Sequence, residues 1–331
     1  MLKVGLIGRG SISKVHLDAY KKMEEEGTVK LCAVCDIRES QLSDLGDARL
    51  YTDIDEFFEN EKDKLDFVDI CLPTYLHKEV SIKAMELGID VLCEKPMALN
   101  SDECQRMCET AKKTGKKLMI AQCNRFYGAA RLMKKYIDNK ELGKAYSAEF
   151  YREGGSMEPM GYNNWFRDEN LSGGGIHDLH VHDVDLVNFF FGKPKAVSTV
   201  GINRISGAGF DAISTNYVYD DLIVNAKCDW TISHDKFNVR SFRVNFEKGY
   251  IFVDRTAGRN AFVKVMSDGT VEDLWDKLGK EMYYNEIVYF ANCVANNLPC
   301  TECMPESTMD SIKIVEAEKK SAMSQGKKII L

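Results

Sequence analysis

The sequence predicts an α/β fold in two parts: an N-terminal doubly wound parallel sheet, and a C-terminal α+β domain with a large, mainly antiparallel open sheet. In the first 122 residues, short apolar runs alternate with helical patterns, an alternation typical of a parallel sheet. Beyond residue 122, strand patterns follow one another through short turns, which indicates antiparallel pairing. A chain of 331 residues is also longer than the chains that usually fold around a single hydrophobic core. We therefore assign residues 1–122 and 123–331 to two domains.

Composition excludes several classes of partner. The formal charge of −7 disfavours nucleic acid and anionic membranes. No apolar run approaches the roughly 20 residues of a spanning helix, and no signal peptide precedes the first strand. The cysteines fall on predicted strands and helices, as at Cys32, Cys71, Cys93 and Cys104. Reduced thiols in the cytoplasm are therefore expected. Two closely spaced cysteine pairs exist, Cys32 with Cys35 and Cys300 with Cys303, but neither has the second pair of ligands that a structural zinc site needs.

The first element is a strand, Lys3–Ile7, that runs into Gly8-Arg9-Gly10-Ser11-Ile12-Ser13 and then into a helical pattern. This is a G-x-G-x-x-S form of the dinucleotide-binding fingerprint, with the required strand before it and helix after it. The first glycine permits a tight turn, and the second lets the backbone approach a pyrophosphate at the helix N-terminus. The sequence therefore predicts a Rossmann domain whose cofactor contacts include Gly8, Arg9, Gly10, Ser11 and Ile12.

The second strand, Val29–Cys35, ends at Asp36. A carboxylate about 20 residues beyond the fingerprint binds the adenosine ribose hydroxyls and repels a 2′-phosphate. NAD is therefore the favoured cofactor. Arg38 can pair with a phosphate, so NADP stays possible, and a solvent-facing turn at 36–38 is the alternative interpretation.

A later strand, Ile89–Cys93, ends abruptly in Glu94-Lys95-Pro96. Open α/β sheets bind ligands at the carboxyl ends of such strands. Proline cannot continue the strand and biases Lys95 toward an extended backbone. We therefore expect Lys95 to project into a cleft, with a solvated Glu/Lys turn as the alternative. A cis Lys95–Pro96 bond is also suggested, because the chain must turn sharply there.

Helix signals mark the other elements of the first half. Gly88 and Gly115 are predicted helix stops, and Asn100 with Glu103 forms a capping-box pattern. The remaining predicted strands are Phe67–Leu72 and Lys117–Cys123, and the helices run from about 73 to 87 and from 100 to 114.

The second half opens with a predicted helix over 124–136 and closes with helices over 283–296 and 306–325. We expect one face of its sheet to pack on helices and the other to form an oligomer interface, because a large open sheet must be covered or charged. The predicted strands are Tyr146–Tyr151, Ala196–Ile202, Ser214–Tyr219, Ile223–Thr231, Arg240–Phe246 and Gly249–Val253.

The richest stretch of the second half follows the three glycines at 173–175. Asp178, His182 and Asp185 have the spacing i, i+4 and i+7 on a predicted helix, so we expect them on one face. An imidazole beside a carboxylate is a good proton-transfer pair near neutral pH. A capped helix end with solvated polar groups is one alternative. A metal site formed by His177, Asp178 and His182 is another.

Together these residues resemble the Gfo/Idh/MocA family, the glucose–fructose oxidoreductases, inositol dehydrogenases and rhizopine-catabolism proteins. The resemblance covers essentially the whole chain. It implies an NAD(P)-dependent enzyme that transfers hydride between a nicotinamide and a sugar, inositol or related polyol, and a homodimer or homotetramer formed through the C-terminal sheet. The matching motifs are Gly8-Arg9-Gly10, Pro73 with His77, Glu94-Lys95-Pro96, Asn124-Arg125-Phe126, Trp165 with Phe166, Gly173-Gly174-Gly175, and Asp178, His182 and Asp185.

The resemblance also implies roles for single residues. His182 would be the general acid/base, Lys95 would hold the reacting oxygen, and Asp178 would orient the substrate or the base. Arg125 and Trp165 would lie near the substrate. The nicotinamide end of the cofactor would be flanked by Pro73, Thr74 and His77, and Glu94 and Lys95 would also contact the cofactor.

Several alternatives remain open at the level of sequence. A histidine satisfied by backbone groups is the alternative for His77. Many relatives have Asp-x-Gly-x-His where this chain has His180 at the glycine position, so the surroundings of the pocket can differ. Redox-assisted glycoside hydrolysis is a second enzymatic interpretation. A cofactor-binding regulatory protein is a third, disfavoured because Lys95 and His182 are both present.

Overall fold

The computed structural model describes residues 1–154, 161–231, 239–256, 259–279 and 281–331. They form two compact units: Met1–Cys123 with Tyr283–Met309, and Asn124–Met282 with Asp310–Leu331. The first break adjoins the predicted boundary. The predicted second domain, 123–331, differs from the observed units in one respect, because residues 283–309 belong to the first unit. The ring of Phe290 packs edge-on against Phe67 of that unit, with 5.3 Å between ring centroids.

The first unit contains a six-stranded sheet in which every pair of neighbours is parallel. The strand order is β3-β2-β1-β4-β5-β6, the order of a doubly wound Rossmann sheet, as predicted. The strands are β1 (Leu2–Ile7), β2 (Val29–Cys35), β3 (Arg49–Tyr51), β4 (Phe67–Ile70), β5 (Asp90–Glu94) and β6 (Leu118–Ala121), and the helices are α1 (Ser13–Glu25), α2 (Ile54–Glu61), α3 (Thr74–Glu86) and α4 (Ser101–Thr114).

Helix ends in this unit follow the predicted signals. The side chain of Asn100 accepts a hydrogen bond from the Glu103 amide at 2.9 Å, which satisfies one free N–H group at the start of α4. Gly115 ends α4 in the left-handed conformation. Because β4, β5 and β6 pair in parallel, the helix between each two of them returns the chain to the same edge of the sheet.

The second unit contains a nine-stranded sheet in the order β14-β13-β12-β11-β7-β10-β9-β8-β15. Only β7 and β10 pair in parallel among its described strands. The strands are β7 (Ala145–Glu153), β8 (Ala196–Ile202), β9 (Ala212–Val218), β10 (Ile223–Asp229), β11 (Val239–Phe246), β12 (Gly249–Thr256), β13 (Arg259–Met266), β14 (Val271–Asp273) and β15 (Ile329–Ile330).

Helices cover one face of this sheet, as predicted. Phe150 of β7 and Phe242 of β11 lie next to each other across the strands, and both contact Phe190. These rings form the centre of the core between sheet and helices. The helices of the second half are α5 (Gly128–Asn139), α6 (Glu169–Ser172), α7 (Val181–Phe191), α8 (Met282–Ala295) and α9 (Pro305–Met323). None of the helices in the described part of the chain has the length and apolar character needed to cross a bilayer.

Candidate active site

The loop after β1 has the geometry that the fingerprint predicts. Gly8 has a φ of +97°, and an added Cβ would lie 2.5 Å from the carbonyl oxygen of Cys71, so only glycine fits. At Gly10, leaving aside the two neighbouring residues of the sequence, no atom of the described residues would lie within 4 Å of such a Cβ. Ser13 begins α1 and donates a hydrogen bond to the Gly10 carbonyl at 2.7 Å. The loop therefore leaves room for a pyrophosphate to approach its backbone.

Asp36, Arg38 and Arg9 lie together at the end of β2. The Asp36 carboxylate accepts hydrogen bonds from the Arg9 amide at 2.7 Å and from Nε and Nη2 of Arg38, both at 2.9 Å. Burial alone would raise the pKa of Asp36, but the bonds from Arg38 and Arg9 lower it overall. Asp36 is therefore a charged acceptor suited to ribose hydroxyls, and the adjacent guanidinium partly offsets its repulsion of a phosphate.

His77 lies in the first turn of α3, just after Pro73 and Thr74. Its Nδ1 is 2.8 Å from the carbonyl oxygen of Pro96, and its Nε2 is 2.8 Å from that of Leu72. Burial lowers the pKa of the ring, so the neutral imidazole donates to one of the two carbonyls. The ring thus links the chain after β4 to the chain after β5, and the backbone-satisfied interpretation of His77 is the one that this geometry supports.

Glu94 ends β5 with its carboxylate inside the protein. Oε2 accepts a hydrogen bond from the Lys95 amide at 3.0 Å, and Oε1 lies 2.9 Å from Nε2 of His16. Both carboxylate oxygens thus bond to protein groups, and the contact between Glu94 and the cofactor stays a prediction. The Lys95–Pro96 peptide bond is cis, as suggested, and Lys95 is half-buried.

A buried network around His16 was not predicted. Nδ1 of His16 lies 2.7 Å from Oδ2 of Asp69, which also accepts a hydrogen bond from the Tyr20 hydroxyl at 2.7 Å. Burial lowers the pKa of His16, but the charges of and hydrogen bonds to Asp69 and Cys71 together raise it well above its ordinary value. Because both ring nitrogens face carboxylates, His16 is an imidazolium that bridges Asp69 and Glu94.

Glu286 of α8 extends this network. Its side chain is fully buried, and neither of its oxygens has a hydrogen-bond partner among the described residues. Burial and the neighbouring Glu94 raise its pKa well above the ordinary value, which favours the protonated acid. Donor atoms of His16, Glu94 and Glu286 lie close enough together to share a proton or a cation. The group is therefore a buried network of titratable side chains.

A sequence signal for this network does exist. Asp69 interrupts an otherwise apolar strand, and a buried carboxylate must have a partner. His16 and Tyr20 are four residues apart, which places them on one face of α1. A carboxylate in a buried strand and a polar pair on the inward face of α1 would together have predicted a bond between them.

In the second unit, the three glycines form a tight entry to the predicted helix. Gly174 has a φ of +73°, and an added Cβ would lie 2.0 Å from the carbonyl oxygen of Ala208. The helix then starts with one π turn, Ile176–His180, closed by a hydrogen bond from the Val181 amide to the Ile176 carbonyl. Such single π turns occur often at functional sites. Asp178 and His182, one turn apart around this irregularity, are both half-buried.

Asp185 does not share the setting of Asp178 and His182, which differs from the prediction. It is fully buried and forms a bidentate ion pair with Arg125, at 2.8 and 2.7 Å. The Ser311 hydroxyl donates a further hydrogen bond to Asp185 at 2.9 Å. Arg125 was predicted near the substrate, but its guanidinium holds this buried carboxylate, so a structural role fits the geometry better.

The other predicted residues of this unit have different surroundings. Trp165 is half-buried in the 3₁₀ segment Tyr162–Arg167, where its ring stacks on Phe166 at 3.9 Å between centroids. Nδ1 of His177 is 3.3 Å from the Gly173 carbonyl. His180 is buried with Nε2 3.3 Å from Glu318; burial lowers the pKa of His180, but Glu318 raises it overall. His180 therefore contributes to packing against α9.

Comparison with known proteins bears on both halves of the chain. A family model described as "Oxidoreductase family, NAD-binding Rossmann fold" matches residues 2–122. A second, described as "GFO/IDH/MocA C-terminal domain", matches residues 130–252. The two matches lie in sequence and together cover most of the chain.

Individual relatives are more distant. The 2,7-anhydro-N-acetylneuraminate hydratase of Mediterraneibacter gnavus is 32% identical over 55% of this chain and 48% of its own length. The D-glucoside 3-dehydrogenase of Escherichia coli is 31% identical over 63% of this chain and 59% of its own length. The matches thus span about half of these relatives. A solved structure of levoglucosan dehydrogenase with NADH and levoglucosan shares the fold, with a TM-score of 0.83 at 22% identity over 99% of both chains.

The glycine loop with Asp36, the Rossmann strand order and the two consecutive family matches agree with one another. The N-terminal domain is an NAD-binding Rossmann domain, and the chain belongs to the Gfo/Idh/MocA family of oxidoreductases.

Proposed function

We propose that this protein is an NAD-dependent dehydrogenase that transfers hydride between the nicotinamide and a carbinol carbon of a sugar, inositol or related polyol. The observation that carries the proposal is the pair Asp178 and His182, half-buried at a π turn, in a chain whose other unit is an NAD-binding domain. The named relatives act on sugar compounds, which supports this substrate class.

In this proposal the glycine loop and the N-terminus of α1 hold the pyrophosphate, and Asp36 accepts hydrogen bonds from the adenosine ribose hydroxyls. The bound nicotinamide supplies the hydride acceptor. Pro73 and Thr74, at the start of α3, are proposed to lie at the nicotinamide end. NAD is preferred because Asp36 is charged, and Arg38 allows some binding of NADP.

The protein side chains then remove the hydroxyl proton and stabilise the negative charge that develops on the oxygen. His182 takes the hydroxyl proton as the alcohol is oxidised, and a general base in this role contributes roughly 10²–10⁴ in rate. The Lys95 ammonium group stabilises the developing alkoxide. Asp178 orients the substrate or the His182 ring, and Trp165 contributes an aromatic wall near the substrate.

The test is production of NADH from a panel of inositols, aldoses and anhydro-sugars, with NAD and NADP in parallel. We expect turnover of at least one polyol, with loss in His182→Ala. Binding of the cofactor is checked by thermal shift. A protein that binds NAD but oxidises nothing in the panel would contradict this function.

A second function is kept because two relatives are named hydratases rather than dehydrogenases. In it, NAD would be reduced and reoxidised within one turnover, as in redox-assisted glycoside hydrolysis. Release of an aglycone from a glycoside without accumulation of NADH would favour it. A regulatory protein without catalysis would instead bind the cofactor and show neither reaction.

We also propose a homodimer or homotetramer formed through the open face of the nine-stranded sheet. Val200, Ile202 and Ile223 of β8 and β10 expose about half or more of their surface, and an open sheet face needs a cover. Light scattering on the wild type and on Ile223→Asp tests this interface. A cytoplasmic location is proposed because all eleven cysteines are free thiols, and cell fractionation tests it.

A further inference from the structure

Three arginines form a row across one end of the nine-stranded sheet. Arg240 of β11 is directly opposite Arg152 of β7 on one side and Arg255 of β12 on the other. Directly opposed residues project on the same face with their Cβ atoms about 5 Å apart. The next row on that face is Phe150, Phe242 and Val253, all buried in the core. The arginine row therefore lies where this core face meets solvent, with Arg152 buried and Arg240 and Arg255 exposed.

This row lines a pocket within the second unit, together with Asn124, Tyr127 and Asp183. Arg152 is held in place by Asp183, with two hydrogen bonds of 2.8 Å. Among the described residues of the lining, Asp183 is the single carboxylate beside three guanidinium groups. Like charges directly opposite each other destabilise a sheet, so an anion between these strands would relieve the repulsion.

A second observation points to a ligand at the same place. Asn124 is 9% exposed, and its side-chain amide nitrogen has no hydrogen-bond partner among the described residues. A buried donor of this kind needs an acceptor. Burial raises the pKa of the neighbouring Tyr127 hydroxyl, while Arg255 and Arg240 oppose that rise, as expected where positive charge surrounds the phenol.

We propose that the arginine row binds a carboxylate or phosphate group. Guanidinium groups bind both anions through two parallel hydrogen bonds, and Arg152 is already oriented by Asp183. The cavity volume is about 30 Å³, more than the roughly 10–15 Å³ that a water needs. A site of this size takes a small acidic group rather than a sugar ring. The group belongs either to a free anion or to the substrate, and the second case rests on the proposed function.

Binding is tested first without turnover, on the full chain. Isothermal titration and thermal shift measure inorganic phosphate against sodium chloride at equal ionic strength. We expect a phosphate-specific stabilisation of the wild type, and Arg240→Gln and Arg255→Gln should each weaken phosphate binding roughly tenfold or more.

Arg243→Gln is the matched control. Arg243 lies on the same strand, three residues from Arg240 and thus on the other face, where its guanidinium stacks 3.9 Å from the ring centroid of Tyr250. It should bind phosphate like the wild type. The charge-preserving Arg255→Lys should retain part of the affinity, which separates loss of the site from loss of folding. The proposal is overturned if the wild type shows no phosphate-specific effect, or if Arg243→Gln loses as much as Arg240→Gln.

The source of the acidic group is tested next, with NAD and the matched substrates glucose, glucuronate and glucose 6-phosphate. A higher kcat/KM for an acidic sugar, lost in Arg240→Gln, assigns the pocket to the substrate. Equal turnover of all three by a protein that binds phosphate assigns it to a free anion. If neither these sugars nor any member of the wider panel of inositols, aldoses and anhydro-sugars is oxidised while phosphate still binds, the proposed dehydrogenase function fails and the anion site stands.

Discussion

Replacing Gly174 with alanine should destabilise the second unit more than replacing Gly207, although both glycines have a φ of +73°. An L-residue in the left-handed conformation costs roughly 1–2 kcal/mol. At Gly207 no described atom lies within 4 Å of the added Cβ, so this is the whole expected cost. At Gly174 the Cβ would lie 2.0 Å from the Ala208 carbonyl oxygen. Overpacking adds about 1–3 kcal/mol, for a sum of about 2–5 kcal/mol.

The assay is urea unfolding followed by tryptophan fluorescence. All three tryptophans, Trp165, Trp230 and Trp275, belong to the second unit, so the signal reports on the unit that carries the change. Activity gives a second readout. The carbonyl of Gly174 accepts hydrogen bonds from the amides of His177 and Asp178 at 3.1 and 3.0 Å, so a shift of this backbone displaces the π turn. We expect kcat to fall in Gly174→Ala and to be retained in Gly207→Ala.

Equal unfolding midpoints for the two variants would refute this reasoning. Such a result would mean that the segment around Ala208 moves away at no cost, and that the close contact does not hold the glycine turn in place.

Four further predictions concern other parts of the chain. Lys95→Ala and His182→Ala should each lower kcat by a factor of about 10²–10⁴, while the affinity for NAD, measured by titration, stays near that of the wild type. Lys112→Ala, at an exposed position, is the control. A loss of NAD binding as large as the loss of kcat would contradict the proposed roles. Asp36→Ala should weaken NAD binding roughly tenfold or more, because hydrogen bonds to a charged group are lost. If the wild type instead binds NADP more tightly than NAD, Arg38 and not Asp36 determines the cofactor preference. Burial lowers the pKa of His16 but Asp69 contributes to raising it overall, so the charged ring stabilises the fold fully below the ordinary histidine pKa of about 6.5, and this stabilisation is lost as pH rises through the raised pKa. The difference in Tm between the wild type and His16→Gln should therefore become smaller at alkaline pH. A difference in Tm that stays constant with pH would argue against an imidazolium. Arg125→Met leaves Asp185 buried and unpaired, so it should cost about 3–5 kcal/mol in urea unfolding, and the double variant with Asp185→Leu should recover part of that loss.

The Rossmann half could be predicted closely because its signals are local. Apolar runs between glycine and proline breakers define each strand, and the second strand was predicted with the bounds it has, Val29–Cys35. Asp36 and the glycine loop meet because consecutive parallel strands end at the same edge. In the second half, Ala196–Ile202 was also predicted with its observed bounds, because turn residues flank it.

The misses have physical reasons that differ from element to element. β13 was not predicted, because apolar residues stand on both of its faces, Phe262 on one and Val263 on the other, and give no alternation. The pairing of Arg125 with Asp185 joins residues 60 positions apart, and no local spacing encodes it. The i, i+4, i+7 spacing assumes a regular α-helix, and the π turn at 176–180 departs from that geometry.

Helix α1 has a consequence for anyone who wishes to redesign this protein. Its first residue, Ser13, bonds to the Gly10 carbonyl, and one turn later His16 bonds to Glu94, which holds the Lys95 amide. The same helix therefore contacts both the glycine loop and the carboxylate that bonds to the backbone of Lys95. Engineering of cofactor preference should leave the inward face of α1 unchanged and work instead on the end of β2. There Asp36 and Arg38 can be exchanged without moving Lys95.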